Sequence, residues 1–168
     1  MHAANFQIRD ETEQDAAALS QLSAQAFGPG RFGRTAYRIR EGVAPVSSLA
    51  LTAWLDNRLV GGIRFTAVSI GGEGGALLLG PLVVDPVHNG KGYGKALVAE
   101  GLARARAQGF RLVVLVGDMP YYGRFGFVPV PPGQIRLPGP VDPARLLALE
   151  LVAGALGNAA GLVQAKAA

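Results

Sequence analysis

The sequence predicts a mixed α+β domain of about six strands and four helices. Three observations carry that expectation. Apolar residues recur with a period of two in some segments and at helical spacing in others, in the order strand, helices, three strands, helix, strand, short helix, strands. Asp56-Asn57 separates two strand-like runs as a hairpin turn would. An apolar run from Ala76 to Val84 feeds directly into a glycine-rich segment and an amphipathic helix. No internal repeat or linker divides the chain, so residues 1–168 are expected to form one domain.

Phe6-Gln7-Ile8-Arg9 alternates apolar and polar, as a half-buried strand does. Thr12 is a plausible N-cap with acidic residues behind it, and Ala16, Leu19, Leu22 and Ala26 repeat at helical spacing until Gly28-Pro29-Gly30. A shorter helix is expected over Thr35 to Glu41. Leu49 to Leu55 and Leu59 to Val68 form the hairpin, because Asp and Asn tolerate left-handed backbone. Gly71 to Gly75 reads as a flexible turn.

Ala76 to Val84 reads as a strand buried on both faces. Gly80-Pro81 should break its hydrogen-bond ladder, since proline has no N–H and glycine often marks a bulge. Gly90 to Gln108 is expected to be helical, with Tyr93, Leu97, Gly101, Leu102 and Ala105 on one face and Gly109 as the C-cap. Leu112 to Val116 is a buried strand, and Met119 to Phe125 a short helix at most. Pro129 to Pro143 is looped, and the alternation of Leu147, Leu149 and Leu151 favours a strand over Leu146 to Val152.

Composition removes several functions. With no cysteine, disulfides, thiolate zinc sites and a cysteine nucleophile are excluded, and no metal site is expected. His2 and His88 do not form a metal pair on sequence grounds. The start of the chain lacks the features of a secretory signal, and no apolar run approaches the roughly 20 residues of a membrane span. A soluble, cytoplasmic protein is expected, with no membrane partner. Sixteen Lys and Arg against twelve Asp and Glu give a net charge of +4, which favours anionic ligands. The basic residues are dispersed, so nucleic acid is disfavoured.

The segment that carries chemistry runs from Leu82 to Leu97. Glycines at 90, 92 and 94 allow close backbone approach to a ligand, and the following helix adds its positive end and unpaired N–H groups. A phosphate or pyrophosphate fits such a place. A P-loop is ruled out, because Ala96 follows Gly94-Lys95 and Asn89 stands where its first glycine belongs. The dinucleotide fingerprint is ruled out by the strict two-residue step of the glycines.

Asn89-Gly90-Lys91-Gly92-Tyr93-Gly94 instead resembles the acyl-CoA pyrophosphate loop of the GNAT superfamily of N-acetyltransferases. That loop reads Gln or Arg, two residues, Gly, one residue, then Gly or Ala. Gly92 and Gly94 match, and Asn89 departs from the first position. A second match lies further on, where Tyr122, Gly126 and Phe127 resemble the family's Tyr-x-x-x-Gly-Phe segment. The resemblance covers Phe6 to about Phe127. The Asn that many members carry after the preceding strand is absent, with Asp118 nearby.

The resemblance implies a GNAT-like fold, with a twisted, mostly antiparallel sheet of six to seven strands splayed at the fourth. It also implies acetyl-CoA as co-substrate, held by backbone groups of Leu82, Val83 and Val84 and by Asn89, Gly90, Lys91, Gly92, Tyr93, Gly94 and Lys95. A backbone N–H released by the bulge would stabilise an oxyanion. Tyr122 would protonate the departing thiolate, with Tyr121 as its alternative; an amine would attack directly in a ternary complex. Asp118 leads a field of general-base candidates that includes Glu73, Asp85, His88 and a water chain. Arg31, Arg34 and Arg38 are candidates for an acceptor site, and residues 128–168 are expected to shape that side. The acceptor stays open among small amines and peptide amines. A non-catalytic acyl-CoA-binding module is the competing function. Dimerisation is common in the fold, but no segment specifies an interface.

Overall fold

The structure is a computed structural model and describes residues 5–27 and 35–166. The chain opens with the edge strand β1 (Phe6–Asp10), then a 3-10 turn and helix α1 (Ala16–Phe27). Thr12 caps that start, its backbone N–H donating to the Asp15 carboxylate at 2.8 Å. A short helix α2 (Thr35–Arg40) precedes β2 (Ala50–Leu55), β3 (Arg58–Ile70) and β4 (Glu73–Val84). Helix α3 (Tyr93–Ala107), β5 (Leu112–Val116) and α4 (Met119–Tyr122) follow. The last part holds β6 (Val128–Pro129), β7 (Ile135–Arg136), β8 (Leu146–Glu150) and β9 (Gly161–Ala165).

These strands form one mixed, mostly antiparallel sheet in the order β1-β2-β3-β4-β5-β8-β6, with β9 paired to β3 and β7. Among the described residues there are nine strands, two of them only two residues long. The seven longer ones answer the expected six to seven. The hairpin forms as expected, with Asp56 and Asn57 both at positive φ (49° and 64°).

Three expectations are corrected. The Gly71–Gly75 turn shrinks to Gly71-Gly72, because Glu73 already pairs with Ile70. Arg111 holds Gly74 and Gly75 in the ladder: its side chain donates to the Gly74 carbonyl and its backbone N–H to that of Gly75. Helix α3 begins at Tyr93 rather than Gly90, since Gly90 and Gly92 sit at φ 81° and 85°. Within the stretch expected to be looped, Val128–Pro129 and Ile135–Arg136 make short strands, and β9 adds a strand not foreseen. The helix stop at Gly28-Pro29-Gly30, together with His2, Arg31 and Arg34, lies outside the described residues.

Each face of the sheet buries its own helices. Leu97, Val98, Leu102 and Ala105 of α3 pack on Leu51, Ala53, Ile63 and Phe65. Each Leu, Val, Ile or Phe side chain among them contributes about 1.5–3 kcal/mol when fully buried. Gly101 faces the Phe65 ring so closely that a Cβ would collide with it, which sets α3 hard against β3. On the other face, Leu19 and Leu22 of α1 cluster with Val83, and Ile39 of α2 with Val68, Ile70 and Leu78. Side-chain alternation along β3 thus sends Ile63 and Phe65 to α3, and Arg64 and Thr66 toward α1 and α2. No helix among the described residues is long and apolar enough to cross a membrane.

Candidate functional site

Two irregularities of β4 open the site. Leu82 pairs with Ile63 and Leu79 with Phe65, so Gly80 and Pro81 together oppose the single residue Arg64. This is the bulge expected from Gly80-Pro81. The parallel pairing of β4 with β5 is confined to Ala76–Leu78 against Leu112–Val114. Beyond Leu78, β4 has β3 on one side and, among the described residues, no strand paired on the other. The two strands splay, and a cleft of about 990 Å³ opens between them.

Leu79 to Val83 form one wall of the cleft, and Val116 to Asp118 with Tyr121 and Tyr122 form the opposite one. Its remaining lining comes from Glu11, α1, α2 and the segment 41–45 after it, β3, and residues 140–145. Thr35 Oγ1 donates to the Pro140 carbonyl at 2.7 Å, tying α2 to the C-terminal segment.

At the outer end of β4 the glycine loop leads into α3. Asp85 Oδ1 accepts from the Val87 N–H at 3.1 Å and sets up a short 3-10 turn over Pro86–His88. The first helical bond of α3 runs from the Ala96 N–H to the Gly92 carbonyl. The N–H groups of Tyr93, Gly94 and Lys95 therefore come before any helical acceptor. A Cβ on Gly90 or Gly92 would meet nothing within 4 Å, so both face open space. This donor-rich helix start suits an anion. Tyr93 contributes backbone only, because its ring stacks on Phe6 at 4.8 Å and 10°. Lys91 Nζ lies 3.4 Å from His88 Nδ1, and Lys95 is exposed.

Gly94 joins the loop to the cleft. A Cβ there would lie 2.8 Å from the Tyr121 hydroxyl and 3.4 Å from a Val84 methyl. Tyr122 packs against Gly117, edge-on to Tyr121 at 4.9 Å and to Phe127 at 5.8 Å. Burial, then the neighbouring Tyr121 and Asp118, push its phenol well above the usual value. Burial also pushes the Tyr121 phenol up, against the pull of Arg124. Both phenols are protonated at neutral pH. Asp118 is exposed at the N-cap of α4, 3.4 Å from Arg145.

Of the residues expected from the sequence, Leu82, Val83, Asp118 and Tyr122 line the cleft. Val84 and residues 89–95 stand at its outer end. Glu73, Asp85 and His88 are not among its lining residues, and Arg38 is exposed on α2. No cluster of three His, Asp or Glu suited to a metal is found among the described residues.

Sequence reasoning missed the charged groups on the side of the cleft formed by β3 and α2. Arg64 makes a two-pronged ion pair with Glu11, at 2.8 and 2.6 Å. Arg40, the last residue of α2, rests on the bulge, with Nη1 2.6 Å from where a Gly80 Cβ would be. Burial and the Arg64 guanidinium hold its pKa down to about 10. No local spacing announces these residues, because they meet only in the folded chain.

Residues 16–127 match the model of a family described as the acetyltransferase (GNAT) family. The chain is 30% identical to the uncharacterized N-acetyltransferase YhbS of Escherichia coli K12, over 94% of each protein. It is 31% identical to the uncharacterized N-acetyltransferase YjhQ of the same organism, over 77% of this chain and 72% of YjhQ. The crystal structure of E. coli YhbS in complex with CoA superposes with a TM-score of 0.84 at 28% identity, covering 99% of this chain and 92% of that one. A GNAT acetyltransferase from Brucella melitensis in complex with acetyl-CoA gives 0.62 at 33% identity, over 86% and 96% of the two chains.

Proposed function

The chain belongs to the GNAT acetyltransferase family, and from that premise we propose that it moves the acetyl group of acetyl-CoA to a primary amine by direct attack in a ternary complex. The observation that carries this reading is the continuous path from the bulge of β4, along the unpaired edge of Leu79–Val84, to the open start of α3. A long cofactor with amides in its arm and a pyrophosphate at its far end matches that path in chemistry. The relatives described as complexes with CoA and acetyl-CoA support it.

In this assignment the free edge of Leu82, Val83 and Val84 pairs with the amides of the pantetheine arm. The N–H groups from Gly92 to Lys95 receive the pyrophosphate, with Lys91 and Lys95 adding charge. Asn89 stands at the first position of the loop. Acetyl-CoA supplies the thioester, whose C–S bond is exchanged for a C–N bond; the amine loses one proton and the sulfur gains one. Backbone N–H groups freed at the bulge steady the negative charge that develops on the acetyl oxygen. Tyr122, kept protonated by burial, donates to the leaving sulfur. Asp118 or a water chain through the open cleft takes the proton from the amine. Residues 128–168 complete the acceptor side of a single domain, with 140–145 in the cleft wall.

The test is acetyl-CoA-dependent release of free thiol across a panel of amines, with mass spectrometry of the product. One amine that gains an acetyl group in step with thiol release supports the proposal. Binding of acetyl-CoA with no transfer to any amine would favour a non-catalytic acyl-CoA-binding module.

A further inference from the structure

Arg40 is a charge in the cleft that the acetyl-transfer steps leave unused. Its guanidinium lies against Gly80 of the bulge, beside the place where the reacting acetyl group belongs in the reading above. The other charged groups of the lining are either matched or exposed. Arg64 is held by Glu11, and Arg145 stands 3.4 Å from Asp118. Asp142 is exposed and accepts the Ala144 N–H at 3.0 Å, and Glu41 is exposed. The Arg40 side chain makes no ion pair or hydrogen bond with any described residue. No Asp or Glu side chain stands in residues 1–4, 28–34 and 167–168.

A half-buried cation without a counter-charge is costly, and an incoming anion lowers that cost. Even with its pKa held down to about 10, Arg40 is charged at neutral pH. The anions of the cofactor are placed too far away to serve. The pyrophosphate belongs at the start of α3, and Gly80 to Val84 alone spans about 13 Å of extended strand. The arm that reaches the bulge carries no charge. The only negative charge of the transfer itself near the bulge is the transient one on the acetyl oxygen, so a stable anion that meets Arg40 in the bound state arrives with the acceptor.

We propose that Arg40 anchors a carboxylate of the acceptor, which makes amino acids and short amino-carboxylates the substrate class of this site. The proposal rests on the N-acetyltransferase reading. A guanidinium fork matches a carboxylate with two parallel hydrogen bonds. With the carboxylate on Arg40 and Arg40 on the bulge, an amine a few bonds away is carried to the acetyl group. Thr35, bonded to Pro140, fixes α2 and so positions the anchor. Polyamines and amines remote from any carboxylate meet an unbalanced positive charge instead.

The experiment measures thiol release by the full chain with acetyl-CoA and matched acceptors: free L-amino acids, their carboxamides, the corresponding decarboxylated amines, spermidine and phosphoethanolamine. At least one free acid is expected to exceed its carboxamide in kcat/KM by about 10- to 100-fold, mostly through KM. Arg40→Gln should remove that preference and Arg40→Lys restore part of it, with acetyl-CoA affinity and melting temperature measured in parallel. The acid-to-carboxamide ratio in the wild type carries the test if a variant fails to fold. Carboxamides or bare amines equal to the acids, phosphoethanolamine as the better acceptor, or an intact preference in Arg40→Gln would each overturn the proposal. Acetyl-CoA binding with transfer to none of these acceptors but to some other amine would overturn the acceptor class alone, whereas binding with transfer to no amine, or absence of acetyl-CoA binding, would remove the enzyme reading as well.

Discussion

The end of the cleft that meets α3 is built from backbone, whereas the side that meets α1 and α2 is built from side chains. Toward α3 the working parts are a strand edge without a partner, three glycines and a helix start. Toward α1 and α2 they are Arg40, Arg64, Glu11, Thr35 and residues 140–145, drawn from separate parts of the chain. Backbone devices serve a cofactor that is the same for every turnover. Side-chain devices can be exchanged one by one without disturbing the strand edge, and so they suit the acceptor. The two sides should fail differently when altered.

The largest effect is expected at Gly92. Its φ of 85° disfavours any side chain and most strongly a β-branched one. Gly92→Val should abolish acetyl-CoA binding by calorimetry while circular dichroism shows an intact fold. Wild-type affinity in that variant would move the pyrophosphate away from the loop. Next comes Tyr122→Phe, expected to lower kcat by about 100-fold or more with little change in acetyl-CoA affinity. Because burial raises the Tyr122 phenol, its proton should remain through pH 10, and kcat should show no loss of a donor between pH 8 and 10. An alkaline fall centred near pH 9 would point to another group.

A packing change is expected to act on neither side selectively. Gly101→Ala places a methyl in the Phe65 ring and should cost about 1–3 kcal/mol, read as a lowered melting temperature with the acetyl-CoA affinity of the folded protein retained. The smallest effect belongs to Thr35→Val, which removes the hydrogen bond to Pro140 and should cost about 0.5–1.5 kcal/mol. It should raise the KM of the acceptor and leave that of acetyl-CoA alone. A rise in both would mean that the two sides are not independent.

The same contrast explains what was legible in the sequence. Asp56-Asn57 and Gly80-Pro81 state their backbone geometry locally and appear where expected, while the 90–94 glycines form the expected loop but delay the helix from Gly90 to Tyr93. The strand nature of β8 followed from the alternation of its leucines, although it ends at Glu150 rather than Val152 and its pairing with β5 is set by tertiary structure. β9 was not legible, because Gly161–Ala165 becomes a strand only by pairing with Val68–Ile70, far away in the chain. The glycines at 74 and 75 read as loop until Arg111 supplies their hydrogen bonds. Arg40 was one basic residue among sixteen Lys and Arg until α2 laid it on the bulge. Local rules reached the α3 end of the cleft, and tertiary assembly made the side that meets α1 and α2.

The most direct test of the central claim is thermal unfolding of the wild type and of Gly92→Val, each with and without acetyl-CoA. At a hundred times its dissociation constant a ligand stabilises by about 2.7 kcal/mol. For a chain of this length the wild-type midpoint should rise by roughly 5–10 °C, and the variant should not shift. No rise in the wild type, or an equal rise in both proteins, would contradict a cofactor seated on the start of α3.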